Sequence, residues 1–512
     1  MIARPHILVA ILAVASVAMA APARAQPPVS APAPAVVPPA PAAGTPGGAS
    51  VFTKTMTISL AETVALMLRD NRTVRSVLLS RIVDDFNLRV AEDQFNPQFA
   101  LSLSARRTQP QRGPGDPRSR STLSAGWEPS VSWLLPYGTQ ILARASGGVV
   151  KLEGSDTIFD QGLDVSILQP LLRGAGQDVV TASLEISRLN RRIQTLGTER
   201  SITGNIVLAI QSYRSLMQSG EQVKIAEDSL RRARDLVAVN RQLVAAGRLA
   251  AVEIVQSEAN VARQELSLLT ARNSFDATRL DLLQILALDL QIGLTPTERL
   301  SAARVQVDLQ KALEIARANR ADYRQAFMLV EVSKLNLRLA EDGLRWELNA
   351  IGSASVNSSD RTFSSTVRRG IRTEPGFTAG LELRIPISNL SDQARAVSAR
   401  IALQQQELSL ADLEQRLQVQ VLNALRTTDI SWQQLQLAEL SVQLSEQKLG
   451  IERERLRAGR SSNFQVVTFE DDLVRARTDL LASRIGYLNS LTALDDVLGV
   501  TLQTWGVRLE AL

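Results

Sequence analysis

Hydrophobic positions along this chain keep two different periods, and each period occurs in both halves of the sequence. From about residue 178 to 245 the chain has no proline, and apolar residues such as Ile206, Ile210, Tyr213 and Met217 follow a helical step that keeps one stripe turned to a partner. From about residue 392 to 457, Leu435, Val442, Leu449 and Leu456 recur every seven residues, the repeat of a coiled-coil seam with knobs-into-holes packing. Helices of about 65 residues are on the order of 100 Å long, which predicts an elongated protein.

Each long helix ends at an Ala-Gly-Arg turn, Ala246-Gly247-Arg248 and Ala458-Gly459-Arg460, and a second helix starts at once, over Val252 to Leu290 and over Phe464 to Val500. This is an antiparallel helical hairpin made twice. Shorter helices are expected over Ile58 to Phe95 and Val307 to Leu348, carrying the related segments Arg89-Val90-Ala91-Glu92-Asp93 and Arg338-Leu339-Ala340-Glu341-Asp342. Each half therefore reads short helix, β segment, long helix, turn, returning helix. A repeat of about 200 to 250 residues is too large for a solenoid unit and reads as a half-protein duplicated to pack on its own copy. The first repeat is placed at residues 51–293 and the second at 294–512, joined at Gly293-Leu294-Thr295-Pro296.

The β segments alternate at a period of two. Phe99, Leu101, Leu103 and Ala105 share one face, as do Leu163, Val165 and Ile167, and in the second half Phe377, Ala379, Leu381, Leu383 and Ile385. Leu348 to Val356 repeats the pattern. Strands of about nine to eleven residues near aromatics such as Trp127, Trp133, Trp346, Phe363 and Phe377 are what a transmembrane barrel requires, with those aromatics at the membrane interface. A soluble sheet packed on the helices would alternate in the same way. Residues 122–150 read equally as an additional hairpin or as an extracellular loop.

Composition narrows the function. Met1 to His6, the apolar run Ile7 to Ala20 and Ala23-Arg24-Ala25 form the three parts of a secretory signal, residues 1–25, and the Pro/Ala-rich residues 26–50 read as a disordered leader. The chain has no cysteine, and its one histidine, His6, lies in the signal. A mature chain without either residue cannot build a Cys/His zinc site, a Ser-His-Asp triad or a histidine general base, so no catalytic, metal or cofactor-binding site is expected and the protein does not read as an enzyme. The net charge is +5, with arginines interleaved with acids as in Glu452-Arg453-Glu454-Arg455, a solvated helix face and not a nucleic-acid footprint.

The duplicated layout, the strand exit Gln169-Pro170-Leu171-Leu172-Arg173-Gly174 into a long helix, and the paired turns followed by Val252-Glu253-Ile254-Val255 and Phe464-Gln465-Val466-Val467 together resemble the outer-membrane efflux proteins of the TolC family. The resemblance implies a mainly α fold with a small β part. About four transmembrane strands per chain would form a barrel shared by a homotrimer, continued as an α-helical tunnel from the bacterial outer membrane into the periplasm. It implies a channel of a tripartite efflux or type I secretion system, surrounded by outer-membrane lipid. The partners would be a periplasmic adaptor (membrane fusion) protein and an inner-membrane RND or ABC transporter. Residues carried over as adaptor contacts are Gly247, Arg248 and Leu249 on the first tip and Gly459, Arg460 and Ser461 on the second. Glu253, Gln465 and Thr468 are the candidates for a pore constriction, where the family's usual acidic pair after the second turn is missing. Glu470-Asp471-Asp472 could replace that pair, although acids near a helix start are more simply solvated complements of its dipole. The alternative from another class is a periplasmic coiled-coil scaffold without a pore.

Overall fold

The first half of the chain runs β1 (Lys54–Ile58), α1 (Leu60–Asp70), α2 (Arg72–Asp93), β2 (Gln98–Thr108), β3 (Thr122–Leu134), β4 (Gln140–Leu152), β5 (Thr157–Pro170), α3 (Gln177–Val180), α4 (Ala182–Ala245) and α5 (Val252–Leu286). The second runs β6 (Ile292–Pro296), α6 (Leu309–Asn319), α7 (Ala321–Asp342), β7 (Glu347–Asp360), α8 (Phe363–Arg372), β8 (Gly376–Arg384), α9 (Leu390–Arg457), α10 (Asn463–Leu498) and α11 (Thr501–Thr504). The structure is a computed structural model that describes residues 54–109, 121–152, 155–298 and 300–507. The signal and leader assigned to residues 1–25 and 26–50 lie outside the described residues.

The opening helix of each half is two helices, not one. α1 and α6 have 11 residues each, α2 and α7 have 22 each, and the breaks fall at Asn71 and Arg320, both extended at ψ 127° and 120°. Asn71 makes its break stable: its side-chain oxygen accepts from the Thr73 and Val74 N–H groups at 2.8 and 3.1 Å, and its amide donates to the Ile285 carbonyl at 2.7 Å. Arg320 instead reaches Asp322 and Gln420. Neither break carries the glycine or proline that announces one in sequence. The second short helix ends at Asp342, and Glu347 and Leu348 already belong to β7.

The joint between the halves is a strand: β6 pairs in parallel with β1, from Lys54 opposite Ile292 to Ile58 opposite Pro296. Around it sits the main core, where Ile58, Met67, Ile202, Ile206, Ile210, Tyr213, Leu282 and Leu286 are fully buried. Tyr213 donates its hydroxyl to the Ile58 carbonyl at 3.1 Å. A second cluster, Ala312, Ala316, Leu417, Val421, Leu494 and Leu498, occupies the corresponding place in the second half. The Arg214 guanidinium, lowered by burial to about 10, ties α4 to α10 by donating to the Leu488 carbonyl at 2.7 Å, Asn489 Oδ1 at 3.0 Å and Thr492 Oγ1 at 2.8 Å.

α4 and α9 have 64 and 68 residues, so each is about 100 Å long. Beside the large sheet, α2, α4, α7 and α9 pack in that lateral order; towards the turns the order is α5, α4, α10 and α9. The large sheet is antiparallel with order β2-β3-β4-β5-β7-β8. It holds six strands, where about four were expected from the family resemblance. The two extra ones, β3 and β4, are residues 122–152, which settle as a hairpin inside the sheet and not as a loop. Among the described residues no helix is long and apolar enough to cross a membrane.

Candidate functional site

Residues paired across antiparallel strands share a face, so the register alone sorts the side chains of the six-stranded sheet. One continuous row runs Phe99, Val131, Ala143, Val165, Ala354, Phe377; beside it Leu101 lies opposite Pro129, and Ala145, Leu163 and Val356 follow one another on the same face. The opposite face carries rows such as Ser102, Glu128, Ser146, Gly162, Asn357 and Ala100, Ser130, Arg144, Asp164, Ser355. On that face Arg144 lies 3.7 Å from Glu128, bridging neighbouring strands. An apolar face that, among the described residues, only α8 (Phe363–Arg372) covers, and only at one end, backed by a polar face, is the arrangement of a lipid-facing barrel wall. A soluble sheet would turn the apolar face onto the helices. Here Phe99, Leu103, Phe377 and Leu381 remain 72 to 80 % exposed.

Of the five aromatics singled out in the sequence, Trp127, Trp133 and Phe377 lie in strands on the apolar face. Trp127 lies flat against Gly147, where an added Cβ would fall 2.4 Å from the indole. Trp133 donates its Nε1–H to the Phe95 carbonyl at 2.9 Å, at the helix end of the sheet. Trp346 is half exposed just before β7, also at that end. Phe363 opens α8, which folds back over the far end of the apolar face. There Phe363 meets Phe159 edge to face at 6.3 Å, and Ser358 Oγ donates to the Thr366 carbonyl at 2.7 Å.

At the other end of the helices the two Ala-Gly-Arg turns have the same backbone. Gly247 and Gly459 sit at φ +68° and +70°, the left-handed region that glycine enters without a Cβ penalty. The Gly247 and Arg248 N–H groups donate to the carbonyls of Val244 and Leu243 at 3.0 and 2.9 Å, and those of Gly459 and Arg460 to Leu456 and Arg455 at 2.9 and 2.8 Å. This is a Schellman closure made twice. Gly247, Arg248, Gly459 and Arg460 are exposed, whereas Leu249 and Ser461 are half-buried. Ser461 donates to Glu452, itself 5 % exposed, and is therefore spent within its own hairpin.

Past the turns, Glu253 is half-buried, and its Oε2 is buried with no hydrogen-bond partner among the described residues. Gln465 and Thr468 are exposed, with the Thr468 hydroxyl donating to its own helix at the Phe464 carbonyl, 2.9 Å away. The Glu470-Asp471-Asp472 cluster divides. Glu470 is not a solvated dipole partner: it is 7 % exposed, 2.8 Å from Arg232 of α4, and paired as well with Arg453 of α9. It thus holds α10 to a helix on either side. Asp472 takes the outward role, 3.1 Å from Lys448. Burial raises the Asp471 carboxyl above its usual range, with Glu470 and Asp472 adding to the effect and Arg263 and Arg475 opposing it. Sequence reasoning missed the Glu470 clamp because its three members are far apart in the chain and none differs in type from the surface charges around it. A second polar joint lies beside it, where Asn240 donates to buried Asn463 at 2.9 Å.

No family model matches the chain. It is 24 % identical over 387 residues to the pyoverdine export outer membrane protein OpmQ of Pseudomonas putida, a match covering 72 % of this chain and 77 % of that protein. Its fold is that of the Campylobacter jejuni outer membrane channel CmeC (TM-score 0.65, 14 % identity, 88 % of this chain and 90 % of that one). The open state of the Neisseria gonorrhoeae outer membrane channel MtrE is similar too (TM-score 0.61, 15 % identity, 86 % and 88 % covered), as is CusC (TM-score 0.66, 16 % identity, 86 % and 92 % covered). With its two helical hairpins, its paired glycine turns and a sheet apolar on one face, the chain has the fold of these outer membrane channels, and its sequence is similar to that of an outer membrane export protein.

Proposed function

We propose that three copies of this chain form one passive exit duct, in which the six-stranded sheets close a barrel through the outer membrane and the helices continue it into the periplasm. The observation that carries this reading is the apolar face of the sheet, open except where α8 covers its far end, together with the two edges, β2 and β8, whose outer sides pair with no described strand. Each unpaired backbone group left in lipid costs several kcal/mol, so the edges must find partners on other copies. The helical layer supports the same closure. Its outermost helices towards the turns, α5 and α9, leave Val255, Leu266 and Leu269 and, opposite, Leu437, Leu444 and Ile451 more than half exposed. A pore-less periplasmic scaffold would leave both sets in water.

The two halves are read as a duplication, and the protein does no chemistry of its own. Substrate enters from an inner-membrane RND or ABC transporter through a periplasmic adaptor that meets the tips at Gly247, Arg248 and Leu249 and at Gly459, Arg460 and Ser461. Glu253, whose buried carboxylate oxygen has no partner among the described residues, is the strongest constriction candidate, and Gln465 and Thr468 are the candidates on the second hairpin. Trp133 and Trp346 at the helix end of the sheet and Phe363 and Phe377 at its far end mark the membrane interfaces, whereas Trp127, opposite Leu103 in mid-strand, sits between them and not at an interface. The test is the native mass of protein extracted by mild detergent from separated outer membranes. A trimer supports the duct, and a water-soluble monomer in the periplasmic fraction overturns it. Because the chain has no cysteine, Arg248→Cys and Arg460→Cys variants then report adaptor contact directly by crosslinking.

A further inference from the structure

We infer that the barrel formed by this chain has eighteen strands and is as wide as the helical tunnel beneath it, because the β3–β4 hairpin is part of the barrel wall. This rests on the trimeric reading above for the number of copies, but the match in width is a property of one chain.

The strands and helices run around the wall in the same order. α2 leads into β2, β5 leads through α3 into α4, α7 leads into β7, and β8 leads into α9. Four strands thus stand on the four helices α2, α4, α7 and α9, and the hairpin is set between β2 and β5 with no helix of its own. Strands about 4.8 Å apart and tilted by about 40° each take about 6.3 Å of circumference, so six take about 38 Å and four only about 25 Å. Four helices spaced about 9 Å apart take about 36 Å. Six strands therefore continue the helical arc without a taper, and four would narrow it by about a third.

The hairpin is built into its place. Its inner turn is seated on the junctions of its neighbours: Trp133 donates to the Phe95 carbonyl between α2 and β2, and Thr139 donates to Gln169 of β5. Gly138, at φ +94°, lies so close to the Gly174 carbonyl that a Cβ would fall 2.7 Å from it. Each face of β3 and β4 continues the corresponding face of β2 and β5. The even strand number also fits ring closure. β2 and β8 run in opposite directions, so β8 of one copy meets β2 of the next as an antiparallel pair, and every edge is used. Three copies give a barrel with a backbone diameter of about 36 Å, about 1.5-fold wider than the twelve-strand barrel of three four-stranded chains.

Electron cryomicroscopy of the full chain in nanodiscs counts the strands directly. A trimer with eighteen strands is expected. A trimer with twelve, the hairpin standing outside the wall, overturns the inference and leaves the duct intact; no trimer at all overturns the duct itself. Disulfides in intact outer membranes supply a second readout. Ala105→Cys with Ala125→Cys and Ala143→Cys with Val165→Cys are register partners of β2–β3 and β4–β5. Both pairs should oxidise within one chain, whereas failure of both in a correctly assembled trimer would place β2 directly against β5.

Discussion

The two tips share a turn but not an anchor. At the second tip, Ser462 caps α10 through the Gln465 N–H, Leu456 and Val466 are 2 % and 1 % exposed, and Glu470 is clamped between Arg232 and Arg453. At the first, α5 begins at Ala251 with no side-chain cap, and the ion pair nearest the turn, Arg241 with Glu258 at 2.7 Å, joins side chains 63 % and 50 % exposed. α10 packs between α4 and α9, whereas α5 has α4 on one side and an open flank on the other. An identical backbone motif thus ends one hairpin held by buried charge and a cap and one held mainly by packing on α4 and exposed ion pairs. Movement at the turns should therefore begin in α5.

The comparison breaks most sharply at the ion pairs. Glu470→Gln leaves two arginines without their buried partner and should destabilise the second tip by about 3–5 kcal/mol, whereas Glu258→Gln should cost less than about 1 kcal/mol at the first. Hydrogen exchange across α9–α10 and α4–α5 in the assembled protein measures both; equal protection losses would show that the anchors do not differ. Replacing either glycine by valine should cost about 1–2 kcal/mol, the left-handed penalty alone, because nothing lies within 4 Å of the added Cβ. The two losses should match, since the turns are the same. Gly459→Val should impair export while leaving the trimer intact, and normal export in that variant would argue against the tip assignment.

Caps sharpen the contrast at a smaller scale. Ser462→Ala should cost about 1 kcal/mol in the exchange of the first turn of α10, and Ala251→Ser should gain up to a similar amount in α5 where the serine adopts cap geometry. The smallest effect is set by pH. Asp471 has a raised folded-state value, so its ionised form opposes folding at neutral pH, and that opposition is relieved as pH falls through the folded value. Asp471→Asn should accordingly protect α10 slightly at pH 7, with no difference from the parent chain below about pH 4. A variant less stable than the parent at neutral pH would reverse the sign.

The sequence carried the long helices, the glycine turns and the strands that alternate cleanly. Gly247 and Gly459 were legible because a helix that must stop and reverse leaves few residues able to take a positive φ. Residues 122–152 were ambiguous for a physical reason: Pro129 and the Gly147-Gly148 pair interrupt the strand pattern, and it is contact across the sheet, Trp127 lying on Gly147, that makes the glycine fit. The helix breaks at Asn71 and Arg320 are held by contacts to Ile285 and Gln420, distant in the chain, so a local reading passes over them. The Glu470 clamp has the same origin. Its partners lie 238 and 17 residues away, and only packing reveals that this acid among many is buried.

The parallel pairing of β1 with β6 has a bearing on how such a chain is made. Strand partners that flank an entire half cannot meet until residue 296 has been delivered, and the Thr297 N–H then adds its bond to the Ile58 carbonyl at 3.1 Å. Closing a loop over so many residues raises the entropic cost only logarithmically but defers its reward, so the first half waits open until β6 arrives. Once the strands join, that half becomes a closed loop with its own core, a finished template on which α10 and α7 of the second half can dock as they arrive.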